Sequence, residues 1–107
     1  MDENSAILAL DALAQPTRLA AFRRLVAAPA EGLPAGELAR VLAVPHNTLS
    51  THLSALARAG LLRANREGRV VRYAADPAGI RALLGFLLHD CCGGRPELCR
   101  PSTECPP

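Results

Sequence analysis

The sequence predicts a mainly α-helical fold with one small β-hairpin, and three observations predict it. Apolar residues recur at helical spacing in five stretches of the 107-residue chain. Two of those stretches, ending near Ala43 and resuming near His46, are separated only by Val44-Pro45. After Gly60 the pattern changes: Leu61–Arg66 and Arg69–Ala74 read as strands joined at Glu67-Gly68.

The first helix is expected over Ser5–Ala14, with Ile7, Leu8, Leu10 and Leu13 apolar. So wide an apolar face on an end helix points to a partner beyond its own domain. Pro16 opens the second helix, where a missing N–H is harmless, and Leu19, Phe22, Leu25 and Val26 mark its expected buried stripe. Pro29–Pro34 forms a loop. The third helix starts at Pro34 or Ala35, turns Leu38, Val41 and Leu42 inward, and must stop by about Ala43 because Pro45 follows. The fourth carries Leu49, Leu53 and Leu56 at helical spacing and ends at Gly60. Asp76-Pro77 caps and opens the fifth, whose stripe is Ile80, Leu83, Leu84, Leu87 and Leu88, with Cys91 one turn on. Gly93-Gly94 and Pro96 break it. Residues 1–92 are thus read as one domain and residues 93–107 as a Cys/Pro-rich tail.

Half of the residues are hydrophobic but only Phe22, Tyr73 and Phe86 are aromatic, so the core must be built from Leu, Val and Ala. A small helical domain of this kind often completes its burial by dimerising. The net charge of +2 argues for no partner by itself. Its distribution does: Arg63, Arg66, Arg69 and Arg72 cluster, and every basic residue of the chain outside the histidines is Arg. Guanidinium offers forked contacts to phosphate and guanine. No apolar run reaches a membrane span, and the acidic start Met-Asp-Glu-Asn lacks the form of a signal peptide. A cytoplasmic protein is expected.

Two helices joined by so short a link must cross steeply, as in a helix-turn-helix, and the arginine-rich hairpin supplies a wing. The outward positions of the fourth helix are small or polar: His46, Asn47, Thr48, Ser50, Thr51, Ser54 and Arg58. A helix in the major groove meets the bases with its first two turns. Asn47, Thr48, Ser50 and Thr51 are therefore nominated for base readout, and His46 for bases or phosphate. Arg58, Arg66, Arg69 and Arg72 are assigned to the flanking double-stranded DNA backbone or minor groove. The residues alone also fit a helical adapter with a solvated polar face. His52, beside Leu53, fits a structural hydrogen-bonding role at least as well as a base contact.

In its motifs the chain resembles the ArsR/SmtB family of winged-helix metalloregulators. The resemblance runs through Leu13-Ala14-Gln15-Pro16-Thr17-Arg18-Leu19, Glu37-Leu38-Ala39, Pro45–Leu53, Leu56, Ala59-Gly60-Leu61-Leu62 and Arg66-Glu67-Gly68-Arg69, and covers about residues 6 to 90. It implies a winged helix-turn-helix homodimer built on the first and fifth helices. Such a dimer binds an imperfect inverted repeat and represses transcription until an inducer arrives. One family arsenic site needs Cys at the start of the third helix, where Leu33–Leu38 has none. A zinc or cobalt site on the fifth helix would fall on Asp76, Ala78, His89 and Cys92, and Ala78 cannot ligate.

All four cysteines lie from residue 91 onward. In a reducing compartment clustered Cys more often bind metal or do redox work than staple a fold. Three thiolates suit As(III), because soft sulfur selects soft ions. Cys91, Cys92 and Cys99 are the expected ligands. Gly93-Gly94 lets the chain turn back, and Arg95 and Arg100 favour thiolates. The Cys-Cys pair with a third Cys nearby also resembles the C-terminal arsenic site of one family branch. Cys105 and His89 are secondary candidates. The residues leave open a tetrahedral divalent site for zinc, cadmium or lead, and a disulfide switch between Cys99 and Cys91 or Cys92. A thiol-phosphatase type of enzyme would need Arg six residues after its Cys; Glu97, Leu98 and Cys105 stand there instead. No enzymatic activity and no organic cofactor are expected.

Overall fold

The structure, a computed structural model, describes residues 1–91, and side chains through residue 88. The helices are α1 (Glu3–Leu13), α2 (Pro16–Ala27), α3 (Ala35–Leu42), α4 (His46–Arg58) and α5 (Pro77–Gly85). The strands are β1 (Leu33–Pro34), β2 (Leu62–Glu67) and β3 (Val70–Ala75). The mainly helical fold with a hairpin wing is as expected from the sequence.

The sheet differs in two respects. It has three strands in the order β1-β3-β2, because Leu33 and Pro34 pair with Tyr73 and Arg72. Two residues are too few to carry an alternating pattern, and Pro34 is tolerated because β1 lies at the sheet edge. The hairpin loop is Gly68-Arg69, one residue later than predicted, since Glu67 pairs with Val70. Gly68 decides this: its φ of +63° belongs to the first central position of a two-residue turn.

The six largest fully buried side chains are all leucines: Leu25, Leu38, Leu49, Leu53, Leu56 and Leu61. Tyr73 joins them, while no valine is fully buried among the described residues. Three expected stripes are corrected, those of α2, α3 and α5. On α2, Leu19 and Val26 are exposed, and Ala21 takes the inward position beside Leu25. On α3, Val41 faces outward while Ala39 is buried. Alanine on an inner face lets helices approach closely, and a hydrophobicity pattern weights it too lightly to show this.

The link between α3 and α4 is held by the backbone. Ala43 adopts a left-handed conformation (φ 56°) that costs an L-residue about 1–2 kcal/mol. In return the Val44 amide closes onto the Ala39 carbonyl at 3.0 Å, and Pro45 starts the next helix. On the far side, α5 begins with Asp76 capping the amides of Ala78 and Gly79. Gly79 lies so close to the Gly60 carbonyl that a Cβ there would overlap it. The fifth helix thereby locks onto the turn that ends α4. Beyond Gly85 the helix widens into a π-helical segment, Phe86–Cys91, which the regular leucine spacing does not reveal. Leu84 is exposed, whereas Leu83 is buried.

Candidate nucleic-acid interface

Three leucines, each 0 % exposed, fix α4 in the core: Leu49, Leu53 and Leu56. Their spacing turns the other side of the helix out, so that His46, Asn47, Thr48 and Thr51 are exposed and Ser50 is half-buried. Two short-range hydrogen bonds order this face. The Asn47 side-chain oxygen accepts from the Thr48 amide at 3.0 Å, and the Thr51 hydroxyl donates to the Asn47 carbonyl at 3.3 Å. Pro45 offers no side-chain cap. Ahead of Thr48 the first-turn amides keep their partial positive charge, which favours an anion at this end.

The wing brings charge to the same place. His46, Ser50, Arg66 and Arg69 line a cleft of about 440 Å³ whose floor includes Val71 and Tyr73. Of the arginines assigned to DNA, the fold therefore gathers Arg66 and Arg69 beside the start of α4. Arg72 points elsewhere. It pairs with Asn65 across the hairpin, on the face opposite Arg66. Its guanidinium donates to the Gly32 carbonyl at 3.1 Å and to the Glu67 carboxylate at 3.3 Å. Arg72 thus braces the wing against the loop before β1. Arg58 ends α4, about 18 Å along the axis from His46 at the usual helical rise. There it lines a cleft with Leu8, Asp11 and Arg18.

The histidine beside Leu53 is half-buried, with Nδ1 3.3 Å from an Arg18 guanidinium nitrogen. The sequence offered a signal for Arg18 that residue patterns do not score: Pro16 deprives an α1 carbonyl of its helical donor. The predicted ligands Cys92, Cys99 and Cys105 lie outside the described residues. Cys91 and His89 fall in the π-helical segment, and their side chains lie outside the described ones too. Asp76, the first position of the fifth-helix metal arrangement, spends its carboxylate on capping α5. Among the described residues no three His, Cys, Asp or Glu side chains gather as a metal site. No described helix is long and apolar enough to cross a membrane.

A helix with a small, polar, outward first half, crossed by a second helix and flanked by an arginine-bearing wing, defines the winged helix-turn-helix class of nucleic-acid-binding proteins. Comparison with known proteins narrows this. A helix-turn-helix domain model matches residues 13–64. The transcriptional regulator CmtR of Mycobacterium tuberculosis and Mycobacterium bovis is 40% identical over 78 residues, 72% of this chain. The chain spans 63% of the length of those curated relatives.

Solved structures agree. An ArsR-like transcriptional regulator from Rhodococcus sp. RHA1 superposes with TM-score 0.70 at 26% identity, over 84% of this chain and 82% of that one. HlyU from Vibrio cholerae gives 0.65 at 30% identity, over 86% and 99%. The homodimeric winged helix-turn-helix DNA-binding domain of Mb0332 from Mycobacterium bovis gives 0.63 at 26%, over 84% and 79%. The chain belongs to the ArsR family of winged helix-turn-helix transcriptional regulators, a DNA-binding and non-enzymatic family.

Proposed function

We propose that the chain is a homodimeric repressor that binds an imperfect inverted repeat in duplex DNA and releases it on capturing trivalent arsenic. The observation that carries the DNA half is the meeting of the polar first turns of α4 with Arg66 and Arg69 in one cleft. Asn47, Thr48 and Thr51 meet base edges, with Ser50 at the cleft wall. His46, Arg66 and Arg69 hold the flanking phosphates. Arg58 and Arg72 contribute less, because one is remote from the reading end and the other is tied to Glu67 and Gly32.

The dimer half rests on outward apolar residues. Ile7, Leu8 and Leu10 on α1 and Leu84 on α5 are all at least two-fifths exposed. Covering them with a second copy would set two α4 helices about one DNA turn, roughly 34 Å, apart. The homodimeric mycobacterial domain offers a precedent for such assembly.

The effector half rests on donor chemistry. Cys91, Cys92 and Cys99 supply three soft sulfurs, and trivalent arsenic takes three. In the capture, three thiols replace the three hydroxyls of arsenious acid, forming three As–S bonds and releasing three waters. Cys91 ends the π-helical segment that continues α5, so drawing the tail toward it acts on a helix that bears part of the proposed dimer face. A coupling of about 1–3 kcal/mol would weaken operator binding by one to two orders of magnitude. Antimonite and methylated arsenicals share this chemistry.

A second reading uses the same cysteines for a divalent soft ion, or for thiol oxidation. The test is a gel shift of the chain on its own upstream DNA, titrated with arsenite, antimonite, zinc, cadmium and peroxide. Release by arsenite, abolished by Cys99→Ser, is the expected result. Release of Cys99→Ser as readily as the parent defeats the site assignment. Release by the divalent ions or by peroxide alone selects the second reading.

A further inference from the structure

Arg18 stands where three helices meet. In an unbroken helix the Ala12 carbonyl would accept from the amide of residue 16, but Pro16 has none. Arg18 Nε supplies the missing donor, at 2.6 Å from that carbonyl. The same guanidinium places its terminal nitrogen 3.3 Å from His52 Nδ1 on α4. The Arg18 amide in turn donates to the Gln15 side chain at 2.8 Å, which caps α2. One side chain therefore joins the end of α1, the start of α2 and the middle of the reading helix.

The chemistry of this junction is one-sided. Guanidinium carries only donors, so His52 Nδ1 accepts and the ring proton sits on Nε2. The leucines beneath α4 hold it by apolar packing, which has no preferred direction. Leu49, Leu53 and Leu56 therefore set which face of the helix is buried, but small rotations that keep all three covered are left to other contacts. A hydrogen bond to one side of the helix is directional. His52 directly follows Thr51, so fixing its angle fixes that of the reading face.

We infer that Arg18 is a positioning residue for DNA reading: by bridging Ala12 and His52 it sets the angle at which α4 presents Asn47, Thr48 and Thr51. The inference rests on the DNA reading given above. Arg18 is itself half-buried and acts through His52, not on phosphate.

The test uses the full-length chain on a duplex of its own upstream region. Arg18→Gln, Arg18→Lys, His52→Ala and the Arg18→Gln/His52→Ala pair are compared with the parent. Arg18→Gln should weaken binding about tenfold, the effect of one lost charge-assisted contact. The slope of affinity against salt should stay as in the parent, and the double variant should bind no worse than Arg18→Gln alone. Nitrogen-15 spectra should show His52 protonated on Nε2 in the parent and a tautomer mixture in Arg18→Gln. Arg18→Lys keeps one donor for Ala12 and should fold even where Arg18→Gln does not, with the same loss of affinity.

A salt slope reduced by about one counterion would make Arg18 a phosphate contact and overturn the inference. Fully additive losses, or a parent His52 protonated on Nδ1, would overturn it too. A parent that shifts no duplex overturns the DNA reading, and the positioning role with it. The His52 spectrum then still reports whether the Arg18 contact exists, so the two failures are distinguishable.

Discussion

Helices α1 and α4 rest on the same core with opposite constructions. On α4 the large residues, Leu49, Leu53 and Leu56, point in, and the small polar ones point out. On α1 the alanines Ala6, Ala9 and Ala12 point in, and Ile7, Leu8 and Leu10 point out. Apolar residues line the inward face of both helices and, on α1, the outward face as well. What separates them is side-chain size. Leucine inside anchors a helix and leaves its polar face for a hydrated, charged ligand. Alanine inside lets a helix lie close to its neighbours and leaves its leucines for another apolar surface.

That contrast can be broken at four points, in descending order of effect. Leu53→Ala should destabilise the fold by about 2–5 kcal/mol, because Leu53 is 0 % exposed and the cavity stays empty. Urea unfolding measures it, and a loss under 1 kcal/mol would mean that α4 is not core-anchored. Leu8→Glu should leave the monomer folded, since Leu8 is 51% exposed. It should raise the dimer dissociation constant about a hundredfold, because a symmetric interface loses two buried leucines, roughly 3 kcal/mol. Sedimentation over a concentration series checks this; an unchanged constant would take α1 out of the interface.

The third point compares two wing arginines. Arg69→Ala should lower the salt slope of DNA binding by about one counterion. Arg72→Ala should leave the slope alone and destabilise the wing by about 1–2 kcal/mol, through its lost bonds to Gly32 and Glu67. Equal slopes for the two variants would erase the distinction between the faces of the hairpin. The smallest effect concerns the first turn of α1. The backbone amide of Ser5, then its side chain, hold the Asp2 carboxyl below its usual value. A depressed carboxylate stabilises the fold above the unfolded-state pKa and loses that contribution as pH falls through the folded value. Protection of the Ser5 amide, measured against the intrinsic exchange rate at the same pH, should therefore fall in acid, and Asp2→Ala should remove that fall.

Much of the fold was legible because strong local signals carried it. Pro45 after Leu42 forced the turn between α3 and α4, and Asp76-Pro77 announced α5. The polar face of α4 was legible for the same reason: three leucines at helical spacing leave the intervening residues outside. The two-residue strand β1 was not, since its existence depends on Tyr73 and Arg72, some forty residues away. Nor was the split among the arginines. Arg66, Arg69 and Arg72 look equivalent along the chain, and only strand pairing places Arg72 on the far side.

From the sequence by itself came the helices, the wing, the polar face of α4 and the crowding of cysteines from residue 91 onward. Each follows from periodicity, from turn chemistry or from the identity of a donor atom, all of which are local. Tertiary structure alone decided which apolar residues stay outside, which arginines reach the cleft and that Arg18 meets His52 across 34 positions. Those outcomes depend on how closely alanine-faced helices approach and on which carbonyls a proline leaves without a donor. Both are settled by packing between distant segments, which no window of sequence contains.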